Sequence, residues 1–268
     1  MLAIALLVWP VSAQDAVQEG LETADQFQGP NAERFLARAR VRSLRDIGTG
    51  VTLPQRATLL LDGVEGFAVF KTIDVKKPGI SQFGRGSEMN FQDSWKCEIP
   101  AYVVDLMIGL RMVPATVERT INGQSGSLQW WIQSVMSEAE RLKQRVTPPD
   151  PEAFERRMLK MYLFDELIAN VDRHLNNVRI TADFDLRLID HSRSFRDTRE
   201  LKDAARLTRF SQALLDGLAK LEYQDLRKRT VRWLDDAQIR AVLARRDAIV
   251  ELARKAIAEK GEAAVIYP

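Results

Sequence analysis

The stretch ANVDRHLNNVRITADFDLRLIDHS, from Ala169 to Ser192, holds both histidines of the 268-residue chain. Its pattern predicts two short strands, in NVRIT and LRLID, around the turn ADFD. The outer ends of such a strand pair lie side by side, so we expect Asn177 and Asp190 to be neighbours, with Asp172 in the same loop. Two carboxylates and an amide oxygen at one place form a hard ligand set that suits Mg²⁺ or Mn²⁺.

The spacing of these residues indicates a reaction class. Asp172 and Asn177 stand as D-x-x-x-x-N. In the kinase template an Asp positions the acceptor hydroxyl, an Asn five residues later holds a metal ion, and a second acid after a hairpin holds the metals that bridge the phosphates. Asp190 has the position of that second acid. Taken alone, the D-R-H triplet also fits a capped helix end with a surface ion pair, and that alternative stays open.

The same residues resemble a known group of kinases. DRHLNN (Asp172–Asn177) resembles the DRHxxN loop of the phosphatidylinositol 3- and 4-kinases and the related DRH loop of the Golgi secretory-pathway kinases that phosphorylate casein-like proteins. LIDHSRSF resembles their metal-binding segment, and it is nearer to that of the secretory kinases. The resemblance implies that Asp172 positions or deprotonates the acceptor hydroxyl with His174 assisting, and that Asn177 and Asp190 bind the metal.

A looser resemblance extends upstream, so that it covers roughly residues 45–200. AVFKTID is similar to the kinase strand whose lysine contacts the nucleotide phosphates, which implies that role for Lys71. CEIPAYVVDLMIGLRMVPATVER is similar to the helix whose glutamate pairs with that lysine, which implies that role for Glu98. The implied cofactors are ATP with Mg²⁺ or Mn²⁺. Two alternatives stay open. Lys71 could be a solvated strand residue, and Glu98 could serve only to stabilise the N-terminus of its helix through the helix dipole.

One segment departs from the kinase pattern. IGTGVTLP, residues Ile47–Pro54, has two glycines where a phosphate-covering loop is expected, but it is not G-x-G-x-x-G.

The order of strand-like and helix-like segments over the whole chain predicts an α+β fold, with a strand-rich first half and a helical second half. The resemblance implies that these are the two lobes of a protein-kinase-like fold. We predict a signal peptide over 1–13, a lead-in over 14–44, a kinase-like N-lobe over 45–131, and a helical C-lobe over 132–268 with the catalytic loop and metal-binding segment. Strands are expected at 57–61, 67–73 and on both sides of Asn122–Gly123, a loop at 78–94, and helices at 32–40, from Glu98 to about Gly109, at 132–145, at 152–170 and in 199–260.

Composition excludes several classes of protein. The net charge is only +2 and the basic residues are dispersed, so no nucleic-acid partner is expected. Cys97 is the only cysteine, so neither an internal disulfide nor a cysteine-based zinc site can form. The apolar run Leu2–Val11 followed by Val-Ser-Ala fits signal-peptidase cleavage after Ala13, and it is too short to span a bilayer. We expect export to the periplasm or medium if residues 1–13 are cleaved, and a cytoplasmic protein otherwise.

The leading hypothesis is thus an ATP- and metal-dependent phosphotransferase that acts on a hydroxyl acceptor. Protein, lipid, glycan and small-molecule acceptors all stay open. A non-catalytic kinase-like (pseudokinase) binding module is the first alternative, and an AMP transferase on the same fold is the second.

Overall fold

The computed structural model of the chain describes residues 27–48, 54–83 and 86–268. Antiparallel strands dominate its first half and helices its second half, which confirms the α+β prediction. The predicted signal peptide and residues 49–53 of the IGTGVTLP segment lie outside the described residues. None of the described helices is both long enough and apolar enough to cross a membrane.

In chain order the helices and strands are α1 (Pro30–Arg38), β1 (Arg40–Asp46), β2 (Gln55–Leu61), β3 (Val64–Lys71), β4 (Asp74–Phe83), β5 (Gly86–Ser94), α2 (Glu98–Ile108), β6 (Thr116–Ile121), β7 (Gln124–Trp130), β8 (Met136–Ser137), α3 (Glu138–Gln144), α4 (Pro151–Leu167), β9 (Val178–Ile180), β10 (Leu186–Leu188), β11 (Phe210–Ser211), α5 (Gln212–Ala219), α6 (Tyr223–Thr230), α7 (Asp236–Lys260), α8 (Glu262–Val265) and β12 (Ile266–Tyr267).

A five-stranded antiparallel sheet in the order β1-β2-β3-β7-β6 forms the main part of the strand-rich half. Its central strand β3 ends at Lys71. The neighbouring strand β7 approaches this end closely, since a Cβ atom on Gly126 would lie 2.3 Å from the Lys71 carbonyl oxygen. Only glycine fits there without moving a strand, so this position helps to fix the backbone of Lys71.

Two predicted elements are wrong. Residues 78–94, predicted as a loop, lie mostly in the antiparallel hairpin β4–β5. Its sequence is rich in Gly, Ser and Lys and therefore lacks the residue pattern that predicts strands. The helix predicted over 132–145 begins only at Glu138. Ser137 caps it together with Glu140 in a reciprocal capping box, and Met136–Ser137 pair with β9 instead.

Helix α2 begins and ends where the sequence predicts. It begins at Glu98, with Pro100 in its first turn, and it ends at Ile108, where Gly109 caps it with a φ of 73°, the left-handed conformation that glycine adopts readily. Helix α5 lies directly against the end of α2. A Cβ atom on Gly217 would lie 2.2 Å from the carbonyl oxygen of Ile108, so the two helices approach at backbone distance.

The long helix α4 and the hairpin β9–β10 form the centre of the helical half. Asp150 accepts a hydrogen bond from the Ala153 amide, and Pro151 opens the helix, as predicted. Hairpin β9–β10 is also confirmed. Its four apolar side chains are fully buried, and these are Val178, Ile180, Leu186 and Leu188.

Candidate functional site

Three charged side chains meet between the sheet and the helical half. The Lys71 ammonium lies 2.6 Å from a Glu98 carboxylate oxygen and 2.7 Å from Asp190 Oδ1. Lys71 and Glu98 expose 11% and 1% of their side chains, whereas Asp190 exposes 37%. The end of β3, the start of α2 and the end of β10 therefore supply one ion-pair cluster with a single open corner, at Asp190.

The charges in this cluster stabilise one another. Burial lowers the pKa of Lys71, but the carboxylates of Glu98 and Asp190 outweigh it and raise that pKa. Burial alone would raise the pKa of Glu98, yet Lys71 and His191 bring it well below its usual range. The pKa of Asp190 is also lowered, because Lys71 overcomes the cost of burial. Lys71 is thus a fixed cation near neutral pH, with two carboxylates around it.

Hairpin β9–β10 brings Asn177 to the same place, as the sequence predicts. The Asn177 side-chain Nδ2 donates to Asp190 Oδ2 at 3.3 Å, and the Ile189 backbone amide donates to the Asn177 backbone carbonyl at 3.1 Å. Asp190 has a φ of 61°, in the left-handed region that Asp adopts more readily than most residues other than glycine.

The DRH loop, Asp172–Asn177, is tied to the end of β10. Arg173 forms a buried ion pair with Asp165 at 2.9 Å and donates to the Ile189 carbonyl at 2.7 Å. Because Ile189 precedes Asp190, Arg173 fixes the loop relative to the ion-pair cluster. Sequence analysis assigned no role to Arg173, although its place inside the DRH motif was the available signal.

Asp172 lies at the more open side of this loop. Its Oδ1 is 3.1 Å from His174 Nε2, and its Oδ2 is 3.3 Å from Arg193 Nη1. His174 exposes 71% of its side chain. The two candidate catalytic residues are therefore in contact with each other and accessible to an acceptor molecule.

His191 follows Asp190 but faces inward. Its side chain is fully buried, its Nδ1 lies 3.6 Å from Glu98 Oε2, and its backbone amide donates to the same oxygen at 3.1 Å. Burial lowers the pKa of the imidazole, which favours the neutral ring. His191 thus helps to orient Glu98.

Asp93, at the end of β5, is an acidic residue of this region that sequence analysis missed. Its Oδ1 is buried and has no hydrogen-bond partner among the described residues. The Ser192 hydroxyl donates to Asp190 Oδ1 at 3.3 Å. Burial raises the pKa of Asp93, and the charge of Asp190 adds to this effect. The loop predicted over 78–94 gave no reason to place Asp93 here.

The donor chemistry fits a divalent cation that also binds phosphate. Among the described residues, no group of three or more His, Cys, Asp or Glu side chains is arranged to hold a metal ion. Asp190 supplies a partly exposed carboxylate, which is a hard donor. The Asn177 Nδ2 donates to Asp190 Oδ2 at 3.3 Å, and the same side chain carries an amide oxygen, which is also a hard donor. Mg²⁺ is commonly bound by one or two such groups together with substrate phosphates and water.

Neither protein-family models nor curated protein sequences gave a match to this chain. Solved structures do match it. The structure of hydra Fam20 with sugar matches with a TM-score of 0.70 and 15% identity, over 95% of this chain and 98% of that chain. A Golgi casein kinase matches with a TM-score of 0.58 and 14% identity, over 88% of this chain and 78% of the other.

A third match is the Helicobacter pylori proinflammatory kinase CtkA, with a TM-score of 0.53 and 10% identity, over 84% of this chain and 98% of that chain. The predicted kinase-like fold, related to that of the Golgi casein kinases, is thereby confirmed. At these identities the likeness concerns the fold.

Proposed function

We propose that the chain is a phosphotransferase that moves the γ-phosphoryl group of ATP to a hydroxyl acceptor, with Mg²⁺ or Mn²⁺. The observation that carries the proposal is the junction of Lys71, Glu98 and Asp190, with Asn177 beside it. In phosphoryl transfer by kinases a paired lysine and a metal-binding acid must both be in place. The kinase-like fold supports the same reading.

Each residue has a defined part in the proposed reaction. Lys71 contacts the phosphates, and Glu98 fixes the direction of the Lys71 side chain. Asn177 and Asp190 hold the cation, which neutralises charge on the phosphate oxygens when bound. These groups bind and orient the nucleotide, so that most of the rate enhancement comes from placement and electrostatics.

Asp172 acts on the acceptor. Its carboxylate accepts a hydrogen bond from the acceptor hydroxyl and takes the proton as the oxygen attacks the γ-phosphorus. A bond forms between the acceptor oxygen and phosphorus, the bond from phosphorus to the bridging β–γ oxygen breaks, and ADP leaves. His174, in contact with Asp172, assists by orienting that carboxylate.

Thermal unfolding with four ligand conditions tests the proposed site. The purified chain is measured in buffer, with ATP, with Mn²⁺ and with both, beside the variants Asp190→Ala and Asp183→Ala. Asp183 is a matched control, because it is an exposed acid in the turn of the same hairpin. A ligand at a hundred times its dissociation constant adds roughly 2.7 kcal/mol to the free energy of unfolding.

We expect a shift of the midpoint that requires ATP and Mn²⁺ together and is lost in Asp190→Ala alone. An equal shift in Asp190→Ala would contradict the assignment of that residue. Binding without turnover would favour the non-catalytic binding module. ATP labelled at the α- or γ-phosphorus separates the remaining alternative, since AMP transfer puts the α-label on the product and phosphoryl transfer puts the γ-label there.

A further inference from the structure

The segment that follows Asp190 lies along strand β5. We call residues 190–196 the Asp190 segment. The Ser94 amide donates to the Ser192 carbonyl at 2.9 Å, and the Gln92 side chain donates to the Ser194 carbonyl at 2.7 Å. Two positions further, Arg196 donates to the Met89 carbonyl at 2.9 Å. Contacts at every second residue thus attach the Asp190 segment to hairpin β4–β5.

Arg193 leaves this line of contacts and reaches the DRH loop. Its Nη1 lies 3.3 Å from Asp172 Oδ2, while its Nη2 contacts the carboxylate of Glu88 on β5. The Phe91 ring lies 5.1 Å from its guanidinium carbon. One guanidinium therefore bridges the hairpin and the candidate catalytic acid.

The Arg193 guanidinium in this bridge stays protonated. Burial lowers the pKa of Arg193, but the hydrogen bonds and charges of Glu88 and Asp172 outweigh it and raise that pKa. Arg193 exposes 22% of its side chain and Glu88 exposes 25%, so water screens the contact only in part.

We propose that Arg193 is a positioning residue, which orients the Asp172 carboxylate towards the acceptor hydroxyl, and that Glu88 holds Arg193 in the orientation this requires. The inference rests on the proposed function. The geometry points to a role within the protein for Arg193, because its charged contacts are the carboxylates of Glu88 and Asp172.

The geometry around Asp172 suits orientation. Its two oxygens contact different partners, His174 Nε2 and Arg193 Nη1, so the plane of the carboxylate is fixed from both sides. Each carboxylate oxygen offers about two lone-pair directions. One direction on each oxygen thus remains available for the acceptor hydroxyl after both protein contacts are made.

Arg196 makes the proposal testable by mutation. It also contacts the Glu88 carboxylate, and it donates to the Met89 and Asn90 carbonyls. Hairpin β4–β5 therefore stays attached to the Asp190 segment when Arg193 is replaced. A loss of activity in an Arg193 variant then reports on Asp172 and not on detachment of the hairpin.

The experiment measures Mn²⁺-dependent release of labelled phosphate from γ-labelled ATP, with water as the acceptor. The variants are Arg193→Lys, Arg193→Ala and Glu88→Gln, and Arg157→Lys is the matched control. Arg157 also pairs with a partly exposed carboxylate, that of Asp185 at 2.9 Å, but away from the site. Lysine keeps the positive charge but lacks the planar fork that can bridge two carboxylates.

We expect kcat to fall by roughly 10- to 100-fold in both Arg193 variants, because a small displacement of a catalytic group is enough for such a loss. The KM for ATP should stay unchanged, since Arg193 does not bind the nucleotide. Guanidinium ion added at millimolar concentration should restore part of kcat in Arg193→Ala but not in Arg193→Lys. Glu88→Gln should show a smaller loss of kcat, and Arg157→Lys none.

Three results would overturn the inference. If the wild type is active and Arg193→Lys has the same kcat, Arg193 has no positioning role, while the proposed function stands. A raised KM for ATP at unchanged kcat would make Arg193 a nucleotide-binding residue instead. A wild type that binds ATP and Mn²⁺ but never releases or transfers phosphate would refute the proposed function, and the inference with it.

Discussion

Hairpins β4–β5 and β9–β10 both end at the Asp190 segment, and they hold it by different forces. Hairpin β9–β10 has strands of three residues, and its apolar side chains are fully buried. Hairpin β4–β5 has much longer strands, exposes 66% of Ile80 and 56% of Met89, and reaches the Asp190 segment through Glu88 and backbone hydrogen bonds. The attachment of hairpin β4–β5 should therefore depend on salt concentration, whereas the packing of hairpin β9–β10 should not.

The difference separates two functions within one site. Burial of apolar side chains places Asn177 beside Asp190, and this placement is insensitive to salt. Charged contacts orient Asp172 through Arg193, and salt screens contacts that are partly exposed. We infer that raised salt would reduce the proposed turnover before it disturbs the relative positions of Asn177 and Asp190.

The largest effect is expected in the buried hairpin. Leu188→Ala removes a fully buried side chain from β10, so the free energy of unfolding should fall by about 2–5 kcal/mol. Urea unfolding measures the change. Ile80→Ala in β4 is the matched control and should stay within about 0.5 kcal/mol of the wild type, because its side chain is largely exposed. Equal losses in both variants would remove the contrast between the hairpins.

A smaller effect is expected from the charged contacts. Glu88→Gln should lower the free energy of unfolding by about 1 kcal/mol or less, since the partly exposed pairs with Arg193 and Arg196 are screened by water. The difference from wild type should shrink as NaCl is raised, whereas the effect of Leu188→Ala should not. If the loss of unfolding free energy in Glu88→Gln does not depend on salt, then packing, and not charge, holds hairpin β4–β5.

The smallest effect concerns Asp93. Burial raises its pKa above the ordinary value of 3.8, so the folded state binds a proton more tightly than the unfolded state does. Its contribution to stability is therefore present below that ordinary value and is lost as the pH rises through the folded pKa. Asp93→Asn should be more stable than wild type near neutral pH, by less than about 1 kcal/mol because solvent screens the exposed part.

The difference between Asp93→Asn and wild type is measured by thermal unfolding between about pH 4 and pH 8, and it should grow as the pH rises through the folded pKa of Asp93 and then stay constant. A difference that is constant over this range would contradict a perturbed Asp93. The same outcome would weaken the view that hairpin β4–β5 is the charge-dependent side of the site.

The contrast between the hairpins also explains what could be predicted from the sequence. Hairpin β9–β10 is visible locally, because its alternating apolar residues and short turn produce the strand pattern by themselves. That pattern led to the neighbouring positions of Asn177 and Asp190. The roles of Lys71 and Glu98 came from the family resemblance, and the structure brings both residues to Asp190.

Hairpin β4–β5 could not be predicted in the same way. Its Gly, Ser, Pro and Lys residues have no local preference for strands, and its partners, Ser192 to Arg196, lie about a hundred positions further along the chain. Asp93 and Glu88 were missed for this reason. Their roles depend on contacts that exist only after the two halves of the chain have packed together.

The close approach of Gly217 to Ile108 has a consequence for how such a protein can be regulated. In protein kinases, activity is controlled in part by swinging the glutamate-bearing helix towards or away from the lysine. Here that helix, α2, ends against the backbone of α5, at a distance that leaves no room for a methyl group. A movement of this end of α2 would have to carry α5 with it. Glu98 is at the opposite end of α2, so a displacement of Glu98 away from Lys71 would have to pivot about the contact between Ile108 and Gly217.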